Sequence, residues 1–263
     1  MTYETIRYEV DGPVAWLRLN RPDSLNALTA QLSGEASEAV ASAGEDASVR
    51  CLVITGEGRG FCAGQDLKDP TLGTDLAEID FAGLLRRNYN RLVLSITDLP
   101  KPVVAGVNGV AAGAGVSLAC AADVRVVSSA ASFMQAFIKI GLLPDSGGNY
   151  LLPRIVGLAK ALELSITGER ISAEEAHRIG LASVVVEAER FEEELAAYAA
   201  RLAALPTKAI AASKRVMREA QTLSLAETLD LEADVQADLG KTHDFAEGIA
   251  AFLEKRQPNF TGE

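Results

Sequence analysis

The sequence predicts an α/β core followed by a helical tail. Two observations carry this reading. Short β-rich runs alternate with helical pattern up to about residue 187, and beyond it almost everything has apolar residues spaced by three and four. The runs are TIRYEV and VAWLRLN within 3–20, RCLVITG at 50–56, PVVAGV at 102–107, DVRVVSS at 123–129 and ASVVVE at 182–187. The helices are expected over ERFEEELAAYAARLAAL, TKAIAASKRVMREA, SLAETLDLEADVQADLG and DFAEGIAAFLEKR, with Pro206 and Gly240 as breaks. With 263 residues and 48% hydrophobic content, the chain can bury a sizeable core as one large or two small domains. The boundary is placed between 1–205, the core, and 206–263, a helical region whose apolar stripes suit a partner subunit.

Composition narrows the function. A formal net charge of −11 opposes broad binding to nucleic acid or an anionic membrane, so any anionic ligand must be held locally. Arg21, Lys68, Lys101, Lys255 and Arg256 stand near enough to glycine turns or the chain end to do so. No run of eighteen apolar residues occurs, and MTYETIRYEV has neither a basic nor an apolar leader region, so a cytoplasmic protein is expected. Cys51, Cys62 and Cys120 lie in apolar segments without metal-ligand spacing and read as buried thiols; no metal is expected.

Two glycine-punctuated turns carry the candidate chemistry. CLVITGEGRGFCAGQDL (51–67) is a strand and a turn; PVVAGVNGVAAGAGVSLACAAD (102–123) is a strand, a turn and a small-residue helix. Each leaves free backbone N–H groups, and two such donors converging on one oxygen make an oxyanion hole worth about 3 kcal/mol per donor. A dinucleotide-binding turn at 109–115 lacks a proper G-x-G-x-x-G with a following acid. Small-residue packing of a buried helix accounts for the same residues. A third stretch, FIKIGLLPDSGGNYLLPR (137–154), holds one carboxylate, Asp145, which reads either as the N-cap of the following helix or as an acid/base group.

N-R-P-x-x-x-N-A-L (20–28), R-G-F-C-A-G-Q-D-L (59–67), P-K-P-V-x-A-x-V-N-G-x-A-x-G-x-G (100–115), G-L-x-P-D-x-G-G (141–148) and the tail D-F-x-E-G-x-x-A-F-L-E-K-R-x-P-x-F-x-G (244–262) together resemble the enoyl-CoA hydratase/isomerase (crotonase) superfamily over essentially the whole chain. The resemblance implies a spiral of ββα turns, a C-terminal helical trimerisation region, and a trimer or dimer of trimers. It implies oxyanion donors for a thioester carbonyl at the N–H groups of Ala63 and Ala114. Coenzyme A, as part of the substrate rather than a cofactor, would lie along Ser24 and Leu25 and along Gly64, Gln65, Asp66 and Leu67, with Lys255 near a neighbour's nucleotide. The hydratases of the family use two glutamates, and the matching positions here are Ser117 and Phe137. Asp145 matches a functional aspartate of some isomerases and dehalogenases. The motifs resemble most the phenylacetate-pathway branch that isomerises ring-1,2-epoxyphenylacetyl-CoA.

An enoyl- or dienoyl-CoA isomerase needs the same single acid. A dehalogenase wants a helping histidine and an indole, whereas His177, His243 and Trp16 are remote from the motifs in sequence. A non-catalytic RNA-binding homologue fits poorly with the acidic charge. Asp66 and Asn149 read as loop caps and Tyr150 as packing or pocket wall; residues 68–98 are expected to form a lid over the acyl group.

Overall fold

The computed structural model describes residues 3–69 and 79–263. All six long β-rich runs enter one sheet in the order β1 (Ile6–Asp11), β2 (Val14–Leu19), β3 (Cys51–Gly56), β5 (Val103–Val107), β7 (Val124–Ser128), β10 (Val184–Val186). The β1–β2 hairpin is antiparallel; every later pair is parallel, with Leu52 opposite Val103 and Val104 opposite Val124. Parallel strands covered on both faces must be apolar on both, which is why these runs are continuous rather than alternating. On one face Cys51, Val53, Val104 and Val126 meet Phe191, Leu195 and Ala199 of helix α8 (Phe191–Ala203). On the other, Leu52, Ile54, Val103 and Val127 pack into the larger core with α1 (Ala30–Glu45).

A second sheet was not legible in the sequence. β4 (Gly60–Cys62), β6 (Val110–Ala112), β8 (Ser132–Met134) and β9 (Arg170–Ser172) are three residues each, the first two set inside what read as glycine turns. Successive long and short strands, β3 with β4, β5 with β6 and β7 with β8, each wind on to a helical segment. This is the spiral of ββα turns that the resemblance implies. The helices between them are α2 (Phe81–Leu84), α3 (Asn90–Asp98), α4 (Ala114–Ala121), α5 (Gly148–Val156), α6 (Leu158–Thr167) and α7 (Ala173–Arg178).

The helical tail forms as expected: α9 (Thr207–Glu219), α10 (Leu225–Leu239) and α11 (His243–Glu254). Buried polar contacts fasten it. Lys214 on α9 donates to the carbonyls of Leu99 and Lys101 and to Asp123 Oδ2 at 2.6 Å. Asp244, 4% exposed, accepts from the N–H groups of Thr261 and Gly262, folding the last residues back onto α11. Arg50 then holds that end by donating to the carbonyls of Phe260 and Leu205. The tail motif of the sequence is therefore a closure. Lys101, offered as an anion ligand, instead caps α1 by donating to the carbonyls of Ala43 and Asp46, both at 2.6 Å.

The tightest approach lies between β4 and α4. A Cβ on Gly115 would stand 2.0 Å from the Cys62 carbonyl oxygen, backbone that cannot move aside. Gly115→Ala is expected to cost about 1–3 kcal/mol, as overpacking does, and urea unfolding should show a lower midpoint at unchanged slope.

Candidate active site

Two turns and one helix start build the site. Arg21 begins a loop whose Leu25 and Asn26 both have positive φ, 50° and 56°. Asn26, fully buried, fixes that conformation by accepting from the Arg21 N–H and donating to the Glu57 and Gly60 carbonyls. The loop is thereby laid against the segment after β4: Ala63 N–H donates to Leu25 O at 3.0 Å, Leu28 N–H to Gly64 O at 2.7 Å, and Asp66 N–H to Leu28 O at 2.9 Å. The two stretches expected to hold coenzyme A, Ser24 with Leu25 and Gly64 to Leu67, are thus neighbours.

These bonds correct one oxyanion assignment. The Ala63 N–H is consumed by Leu25 and is not available to a ligand. Leu28 bridges Gln65 in parallel fashion, taking its bonds from the two flanking residues, so the Gln65 N–H points to the opposite side. Among the described residues it meets no backbone acceptor. The second expected donor, the N–H of Ala114, belongs to the first residue of α4, where an N–H has no helical carbonyl to reach. Gly64 joins the two. Its φ of +91° admits glycine, and a Cβ there would lie 2.8 Å from Ala112 O and 3.4 Å from Ala114 N. The amides of Gln65 and Ala114 flank this contact, and the α4 N-terminus adds its positive end.

Asp145 is not a helix cap. α5 starts at Gly148, three residues later, behind Ser146 and Gly147 with φ of 51° and 80°, and its N-cap Gly147 uses no side chain. The Asp145 carbonyl accepts from Gly148 N–H and from the hydroxyl of buried Ser117, each at 2.8 Å. Ser117 lies on α4, three residues beyond Ala114, so the helix carrying an oxyanion donor also sets the turn carrying the acid. Asn149 donates to the Pro144 carbonyl and pins the same turn, a loop cap as expected. The half-buried Asp145 carboxylate takes one hydrogen bond, from Ser146 Oγ at 2.8 Å. Burial pushes its carboxyl above the ordinary aspartate value, and the Ser146 bond offsets this in part. Phe137 is buried, with its ring edge 3.7 Å from where a Gly113 Cβ would sit, an apolar wall beside the α4 N-terminus.

The other predicted groups fall outside the chemistry. Burial raises the Asp66 carboxyl, but Arg21 at 2.8 Å and the Lys68 N–H outweigh it and hold the group below its usual value, a loop cap. Tyr150 is half exposed with Arg154 stacked on its ring. Lys255 caps α11 in a left-handed conformation and is exposed; among the described residues it makes no hydrogen bond to the loops at 24–25 or 64–67. Arg256 is taken up by Glu247 and Glu254. The three cysteines are free and buried, their thiols pushed up to about 12, 12 and 11 by burial.

The sequence reading missed Tyr89. It ends a π-helical turn, Leu85–Tyr89, between α2 and α3, and is 2% exposed with its hydroxyl 3.4 Å from Leu28 O. Burial raises its phenol, and the charges of Asp69 and Asp145 add to this. An aromatic in helical phase reads as core, so only the π-turn marks it. Of the expected lid, residues 70–78 lie outside the described residues; 79–98 form α2, the π-turn and α3.

A parallel ββα spiral with two backbone amides at a glycine contact is the arrangement of an acyl-thioester enzyme, and the chain belongs to the enoyl-CoA hydratase/isomerase family, whose model matches residues 9–263. The 1,2-epoxyphenylacetyl-CoA isomerase of Escherichia coli is 42% identical over 99% of both chains, and a Rhodobacter capsulatus protein named "probable enoyl-CoA hydratase" is 46% identical over the whole of both. The crystal structure of an enoyl-CoA hydratase from Polaromonas sp. JS666 superposes with a TM-score of 0.91 at 37% identity, covering 97% of this chain and 99% of that one.

Proline is favoured at the first position of a helix, so Ala114→Pro removes one N–H and little else. It should keep the fold by circular dichroism and lose about 10²–10³-fold in kcat, the usual cost of one oxyanion donor.

Proposed function

We propose that the protein is an acyl-CoA isomerase that moves a proton between carbons conjugated to the thioester, with ring-1,2-epoxyphenylacetyl-CoA as the substrate and shifted enoyl-CoA esters as the second use of the same site. The observation that carries this is the state of Asp145: half-buried, its carboxylate bonded among the described residues only to Ser146, and its turn set by Ser117 on α4. A carboxylate whose burial raises its pKa toward neutrality is a better proton carrier than one locked in an ion pair.

In an enoyl ester, Asp145 takes the proton from the carbon next to the carbonyl. The electron pair passes into the thioester oxygen, held by the Gln65 and Ala114 N–H groups, and the protonated acid returns the proton two carbons away. In the epoxide, the bond shared by the two rings breaks to give a seven-membered oxepin, and the same acid relocates the proton. Both are isomerisations, so no co-reactant enters. Hydration fits less well: Ser117 spends its hydroxyl on Asp145 O and Phe137 is apolar, leaving no second carboxylate at the two positions where the resemblance implies glutamates. The E. coli relative named for the epoxide reaction supports the substrate choice.

Assembly as a trimer or dimer of trimers, in the cytoplasm, belongs to the same proposal, with Lys255 reaching a neighbour's coenzyme A. Leu225, Phe252 and Leu253 on the tail are 76%, 81% and 73% exposed, more apolar surface than a monomer leaves open. Sedimentation should give a trimer or larger at micromolar concentration; a stable monomer contradicts the assembly.

Asp145→Asn keeps the side chain's size while removing the base. Turnover on a panel of acyl-CoA esters should fall by about 10²–10⁴-fold with binding of the esters retained. Because the base must be ionised, wild-type activity should drop as pH falls through a value above the ordinary aspartate range, and that limb should vanish in the variant. Equal turnover in the two proteins overturns the assignment.

A further inference from the structure

Gln65 carries an anomaly besides its backbone amide. Its side-chain Nε2 is buried and, among the described residues, finds no acceptor. Leaving such a donor pair unmet costs about 1–3 kcal/mol, so a folded protein retains it only where something repays it. Gln135 shows the ordinary resolution. Both its amide atoms are unmet among the described residues, but it lines a small, partly open void of about 10 Å³, room for one water molecule. Gln65 is placed differently: it follows Gly64, whose Cα packs against the Ala114 amide, so its donor belongs to the residue that presents the thioester oxygen with one of its two N–H groups.

We propose that the Gln65 side-chain amide donates to an oxygen carried on the acyl group a few bonds beyond the thioester carbonyl, so that the site selects oxygenated acyl-CoA esters over hydrocarbon ones. The inference rests on the acyl-CoA reading above and deepens it. A site with a buried donor rejects the ligand that lacks the matching oxygen, because that ligand displaces water and leaves the donor bare. An epoxide oxygen on the ring carbon attached to the acetyl group is an acceptor of this kind. Enoyl chains have none, which makes them the weaker ligands of the same site.

Two unreactive esters test this by calorimetry on the full chain: (2-hydroxyphenyl)acetyl-CoA and phenylacetyl-CoA, each with wild type and with Gln65→Met, which keeps the length and removes the donor. Wild type should prefer the hydroxylated ester by about ten-fold, the equivalent of one net hydrogen bond with its desolvation. The variant should bring the two affinities to within about two-fold. Taking the ratio cancels any effect of the substitution on coenzyme A contacts or the oxyanion amide. Wild type that binds both esters equally removes the role of Gln65 whether or not the variant folds, and so does a preference that persists in the variant. Binding of neither ester by wild type removes the acyl-CoA reading itself, and this inference with it.

Discussion

The site depends on one close contact between backbones. The turn after β4 and the start of α4 approach so nearly that side chains are excluded at Gly64 and Gly115, where an added Cβ would meet carbonyl oxygens at 2.8 and 2.0 Å. Two peptide amides with no partner of their own, those of Gln65 and Ala114, are left at this junction. Because both are main-chain groups, their placement is set by the fold rather than by particular side chains.

The acid comes from a different part of the chain and is coupled to the hole through Ser117. Desolvation leads the shift in the proton affinity of Asp145, and the Ser146 hydroxyl opposes it.

The long strands were legible because burial on two faces demands unbroken apolar runs, and the tail helices because one-sided burial imposes their period. The short strands carry neither signal, since three residues have no period to detect. At Asp145 the composition of a helix cap and that of a double left-handed turn coincide; the positive φ of Ser146 and Gly147 moves the helix start to Gly148 and decides between them. The slip from Ala63 to Gln65 has a geometric cause. Along extended chain alternate N–H groups face opposite sides, and pairing with the Leu25–Leu28 segment selects which ones turn outward. That pairing is a tertiary fact, and the motif C-A-G-Q-D-L does not encode it locally.

The tail reverses the usual use of an amphipathic helix. A helix that merely covers its own core turns apolar residues inward, yet α9 and α10 bury none fully, and α9 is docked through the ion pair of Lys214 with Asp123. The closure of the last residues onto Asp244 and Arg50 is likewise polar. Charged groups do the anchoring within one chain, while Leu225, Leu229, Phe252 and Leu253 face outward. Inward polar anchoring fixes the orientation of these helices without using their hydrophobic surface, so that surface remains exposed. A buried ion pair is a weak source of stability but a specific one, because removing either partner strands the other. Orientation of the outward apolar face is what such specificity secures here.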